Sequence, residues 1–95
     1  FVACSGSGET QTTCYQAEKA AGFGATVLAL TARSSSRLGS VAGHVVAIPT
    51  APSEQLGSSR YEHALLIALD TLASLVAERL GVSPEDIWRL HANLE

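Results

Sequence analysis

A three-layer α/β fold with a parallel sheet is what this sequence predicts. Short apolar runs alternate with segments of helix length, and such alternation specifies parallel strands joined by crossovers. The run at 25–31, Ala-Thr-Val-Leu-Ala-Leu-Thr, is almost unbroken, as a strand becomes when helices cover both faces of its sheet. The turn after the first apolar run, Ser5-Gly6-Ser7-Gly8-Glu9-Thr10, has the composition of a ligand loop. Ligands of parallel sheets sit at the carboxyl ends of the strands.

The elements follow in order. Residues 1–4 form a first strand, and the small-residue loop runs from residue 5 to about residue 9. A helix is expected from about residue 10 to residue 21, with Tyr15, Ala17, Ala20 and Ala21 as a modest apolar stripe and Gly22 as its stop. The second strand is 25–31. A serine-rich loop spans 32–40, with one helical turn near 38–42, and His44-Val45-Val46-Ala47-Ile48-Pro49 is the third strand, ended by its proline. Residues 50–59 read as an exposed loop. A long helix covers 60–80, with Ser59-Arg60-Tyr61-Glu62 as a capping box at its start and Gly81 as its end. Ser83 and Pro84 open a last helix as N-cap and first helical residue.

Composition excludes several function classes. The formal charge of −3 supplies no basic field for nucleic acid. No apolar run approaches the roughly 20 residues that span a bilayer, and no signal-peptide pattern is present. Cys4 and Cys14 fit no metal spacing and no disulfide framework, so a reducing cytoplasm is the expected compartment. The chain opens inside an apolar strand, which reads as a domain cut in two. In the long helix, residues 64–69 are consecutively apolar and Leu72, Leu75, Val76 and Leu80 continue the stripe. A helix of that kind is buried on more than one face, by a subunit interface or by the other part of the domain.

Ser5, Gly6, Ser7, Gly8 and Thr10 suit a phosphate. Glycines admit close backbone approach, hydroxyls add donors, and the following helix contributes its positive end. Other loops fail on residues: no Lys-Ser/Thr pair follows the second glycine, as a P-loop needs. Position 5 is serine where a nucleophile elbow centred on Ser7 needs glycine, and Thr31-Ala32-Arg33 lacks the acidic residue of a dinucleotide site. A plain serine-rich turn is the competing reading. Glu62, at the first turn of the long helix, is the candidate general base; its structural alternative is the acid of the capping box. His91, in Leu90-His91-Ala92-Asn93-Leu94-Glu95, would by default be a surface residue, and His44 and His63 structural. Arg33 and Arg37 lie in a solvated loop within reach of an anion.

The Ser-x-Ser-Gly-x-Thr run after a strand resembles the signature of SIS (sugar isomerase) domains. Two further pieces, Gly57-Ser58-Ser59-Arg60-Tyr61-Glu62-His63 leading into 64–70 and the ending Arg89 to Glu95, resemble the 6-phospho-3-hexuloisomerase group within it. The resemblance implies a flavodoxin-like SIS fold, of which this chain is the C-terminal half, with about three strands and three to four helices. It implies a homo-oligomer, usually a tetramer, acting on a sugar phosphate with no metal or organic cofactor. The implied reaction interconverts 3-hexulose 6-phosphate and fructose 6-phosphate in the ribulose monophosphate route of formaldehyde fixation. Ser5, Ser7 and Thr10 match the phosphate-loop hydroxyls, Glu62 the proton-transferring base, and His91 a C-terminal active-site histidine implied to assist ring opening. A non-catalytic phosphosugar-binding module and a purely structural fragment are the alternatives from other classes.

Overall fold

The structure is a computed structural model that describes residues 1–51, 56–57 and 59–90. The chain runs β1 (Val2–Cys4), α1 (Gln11–Gly22), β2 (Leu28–Thr31), α2 (Arg37–Val41), β3 (His44–Ala47), α3 (Ser59–Leu80) and α4 (Pro84–Leu90). The strands form one parallel sheet in the order β1-β2-β3. Val2 pairs with Leu28, and Leu28 in turn with His44.

The central strand divides its side chains by the two-residue period of a pleated strand. Ala29 packs with Ala3, Cys14, Ala17, Val27 and Leu38, beneath α1 and α2. Leu30 packs with Ile48 and Tyr61 on the opposite face, where Ala64, Leu65, Ala68 and Leu69 of α3 close over it. The result is the expected three layers. β2 is the buried strand foreseen, with Ala29, Leu30 and Thr31 at 1 % exposure or less.

Several boundaries moved. The second strand begins at Leu28 rather than residue 25; the Ala25 N–H still serves the end of α1, donating to Ala20 O at 3.0 Å. The third strand stops at Ala47, and its valines stay partly open at 38 % and 42 % exposure because it is an outer strand of the sheet described. The short helical turn lies at Arg37–Val41, one residue earlier than expected, with Ser36 as N-cap accepting from the Gly39 N–H at 3.3 Å. The α3 helix starts at Ser59, so Ser59 stands inside the helix rather than before it.

A reciprocal cap occurs at α4. Ser83 Oγ accepts from the Asp86 N–H, and Asp86 Oδ2 accepts from both the Ser83 N–H and its hydroxyl, at 3.1, 3.1 and 2.8 Å. These bonds, chiefly those from Ser83, hold the Asp86 carboxyl below the usual carboxylate range. The other face of α3 is open: Leu66, Ile67, Leu75, Val76 and Leu80 are 48–73 % exposed among the described residues. No helix of the described residues is long and apolar enough to cross a membrane.

Candidate functional site

The loop at the end of β1 is ordered by its own hydroxyls. Ser5 Oγ accepts from the Gly8 N–H at 3.0 Å and lies 2.9 Å from Thr10 Oγ1. Ser7 Oγ accepts from the Glu9 N–H at 3.1 Å. Ser5 is buried at 5 % exposure, whereas Ser7 and Thr10 face solvent. Ser5 therefore shapes the bend, and Ser7 and Thr10 stand at its surface.

Thr10 is the N-cap residue of α1, yet its side chain makes no cap bond. The first intrahelical bond is Cys14 N–H to Thr10 O. The amides of the first turn before Cys14 have no intrahelical acceptor, as at any helix start. No acidic residue occupies that first turn. The neighbouring carboxylate, Glu9, is directed elsewhere: its Oε1 accepts from the Arg37 N–H at 3.0 Å at the start of α2. An uncapped helix start beside exposed hydroxyls, with the nearest carboxylate engaged, is a place where an anion is favoured.

Distant segments fix the loop's shape. Gly8 adopts φ +69°, and a Cβ there would lie 2.0 Å from Ser36 Oγ. Its carbonyl accepts from the Leu38 N–H at 3.0 Å and from the buried Cys14 thiol at 3.4 Å. On the other side, a Cβ at Gly6 would meet the Tyr61 ring at 3.0 Å. The Tyr61 hydroxyl donates to Leu30 O at 2.8 Å, and the Ser5 N–H donates to that same carbonyl at 3.1 Å.

Of the residues expected from sequence, Ser5, Gly6, Ser7, Gly8 and Thr10 come together as one loop. Glu62 follows Tyr61 directly and is exposed in the first turn of α3. His91 lies outside the described residues. Arg37 pairs with Glu18 of α1 at 2.8 Å, and the Arg33 N–H donates to Thr31 Oγ1 at 3.1 Å. Sequence reasoning missed the loop's supports: Tyr61, Ser36 and Thr31, whose Oγ1 donates to Gly6 O at 3.4 Å. One signal was present: Tyr61 is the single aromatic of a helix otherwise built from aliphatic, small and polar residues. Two cavities, of about 320 Å³ between Leu30, Val46 and Ala68 and of about 540 Å³ beside Leu75 and Arg79, lie along α3 and apart from the loop.

Burial pushes the Tyr61 phenol up to about 12, with Cys4 adding to the shift and a backbone bond at Ser5 opposing it. A raised pKa favours the protonated, folded state. The stabilisation is complete below the ordinary tyrosine value of ~10 and is lost as pH rises through the folded value. Alkaline titration followed at 295 nm is expected to show a tyrosinate appearing only near pH 12, with unfolding, and Tyr61→Phe is expected to abolish it.

A family model described as SIS domain matches residues 1–75. The chain belongs to the SIS domain family. Within the family, it is 32% identical over 100 residues to the 3-hexulose-6-phosphate isomerase of Bacillus subtilis, across 96% of this chain and 54% of that protein. It is also 32% identical over 103 residues to the enzyme of that name from Mycobacterium gastri, across 100% of this chain and 52% of the relative. A Methanococcus jannaschii protein, whose crystal structure led to an inferred 3-hexulose-6-phosphate isomerase function, superposes with a TM-score of 0.82 at 24% identity, over 99% of this chain and 53% of that one. The chain thus spans about half the length of these SIS relatives, and the last likeness speaks for the fold alone.

Proposed function

We propose that the protein is a phosphosugar isomerase interconverting 3-hexulose 6-phosphate and fructose 6-phosphate, with this chain as the C-terminal half of its SIS domain. One observation carries the reading: the uncapped start of α1 and the exposed Ser7 and Thr10 hydroxyls form an anion seat, and α3 docks on it through Tyr61, the neighbour of Glu62. The names of the two relatives support the choice of substrate.

The phosphate rests on Ser7, Thr10 and the first-turn amides of α1. When Ser5 donates to Thr10, the Thr10 proton is left for the anion. Glu62 takes the proton from C2 of the 3-ketose, leaving an enediol across C2 and C3. It returns the proton to C3, while the hydroxyl proton passes from O2 to O3 and the carbonyl forms at C2. Remote binding of the phosphate serves to orient the reacting carbons. His91 is assigned to ring opening, and the exposed apolar face of α3 to contacts within a cytoplasmic homo-tetramer.

The test is a direct assay on the intact protein. Fructose 6-phosphate is expected to form from 3-hexulose 6-phosphate generated by a hexulose-phosphate synthase, and fructose 6-phosphate is expected to raise Tm. A raised Tm without turnover would instead establish a non-catalytic phosphosugar-binding module. No shift and no turnover would sink the anion seat itself.

A further inference from the structure

The geometry points to Tyr61 as a positioning residue that sets the separation between the anion loop and the Glu62 carboxylate, a role that rests on the isomerase reading. One acceptor, the Leu30 carbonyl, takes the Ser5 N–H at 3.1 Å and the Tyr61 hydroxyl at 2.8 Å. Ser5 is the first residue of the anion loop, and Tyr61 immediately precedes the base. The end of β2 is therefore a common reference point for both halves of the site. A carbonyl oxygen has two lone pairs, and here both partners belong to the site.

The ring makes the second link. Tyr61 is 8 % exposed and packs with Leu30 and Ile48. Its Cγ and Cδ1 stand 3.0 Å from where a Gly6 Cβ would be, so the loop backbone rests directly against the ring. Glycine at position 6 is what admits that approach. Tyr61 thus meets the loop with its ring and the strand beneath the loop with its hydroxyl. Glu62 is exposed, and the buried residue beside it determines where the first turn of α3 sits. Proton transfer depends steeply on such placement: a displacement near 1 Å costs about 10²-fold in rate.

Tyr61→Phe and Tyr61→Leu are measured beside Glu62→Gln in the intact protein, each well below its own Tm. Tyr61→Phe keeps the ring and the fold while deleting the hydroxyl; kcat is expected to fall about tenfold with KM nearly constant. Tyr61→Leu removes the flat face as well, and kcat is expected to fall about 10²-fold. Fructose 6-phosphate is expected to raise Tm in both variants as in the parent, because the loop still binds the phosphate. A role confined to stability would lower Tm and leave kcat intact at the lower temperature, which would overturn the assignment. So would a rise in KM with constant kcat. If the parent protein itself shows no turnover, the isomerase reading fails; if Glu62→Gln retains full turnover, Glu62 is not the base and the positioning role falls with it. If Glu62→Gln is inactive while both Tyr61 variants keep parental kcat, only the positioning role fails.

Discussion

Glu62→Gln is expected to lower kcat for the ketose interconversion by ~10²–10⁴-fold with little change in KM, the contribution typical of a positioned general base. At 1.36 kcal/mol per tenfold, that is ~3–5 kcal/mol of transition-state stabilisation. Glutamine preserves the shape of the side chain, but its amide cannot accept and return the proton. The proposed phosphate seat belongs to another segment, 5–13, so substrate binding has no reason to weaken. The structural cost is small by comparison. Glu62 is exposed, and losing one acidic group from a helix's first turn costs ~0.3–1 kcal/mol. Activity and stability therefore separate cleanly: steady-state kinetics should collapse while Tm moves by a few degrees. Glu62→Asp keeps a carboxylate one methylene further back and is expected to fall between the two. Full turnover in Glu62→Gln would remove Glu62 from the chemistry.

The largest stability effect is expected at Gly8. Gly8→Ala places a Cβ 2.0 Å from Ser36 Oγ and 2.4 Å from Ser36 Cβ, at a φ of +69°. The left-handed backbone alone costs an L-residue ~1–2 kcal/mol. Ser36 cannot simply turn aside, because its hydroxyl caps α2 through the Gly39 N–H, and losing a serine cap costs ~1 kcal/mol. With the residual crowding, a loss of ~3 kcal/mol is expected, a large share of the ~5–15 kcal/mol that holds a typical domain folded. At ~2–4 °C per kcal/mol for a protein of the relatives' length, Tm should drop by ~6–12 °C. The double variant Gly8→Ala/Ser36→Gly separates the two causes. Glycine is a tolerable N-cap, within a few tenths of a kcal/mol of serine, and it clears the clash. The backbone cost and a 3.1 Å approach to Thr31 Oγ1 should then remain, visible as roughly half the loss in calorimetry. An unchanged Tm in Gly8→Ala would contradict the packing of the loop against Ser36.

Much of this architecture could be read along the chain. The strand–loop–helix unit at 1–22 was legible because an apolar run, small residues and a glycine stop are each local signals. The α4 start was legible in Ser83-Pro84 for the same reason. The Ser-x-x-acid pattern was less decisive, since it occurs at both Ser59–Glu62 and Ser83–Asp86. At the second, the reciprocal bonds surround an N-cap serine; at the first, α3 begins one residue earlier than its pattern suggests. The second strand was overestimated at 25–31, because residue 25 closes the end of α1 through Ala20 O and nothing in the apolar run marks that change of partner.

The candidate site divides along the same line. The residues proposed to hold an anion, Ser5 to Thr10 ahead of a helix, are consecutive, so composition and order were enough to point to them. What supports that loop comes from elsewhere: Tyr61 reaches Leu30 across 31 positions, and Arg37 reaches Glu9 across 28. The amino-acid sequence by itself determined the alternation of elements, the parallel sheet and the loop, since φ preferences, caps and apolar periods act within a few residues. The tertiary structure alone decided that Ser5 is buried, that Gly8 must lack a side chain, and that Tyr61 joins α3 to the loop. Those outcomes depend on how closely separate layers approach one another, and no local period encodes that distance.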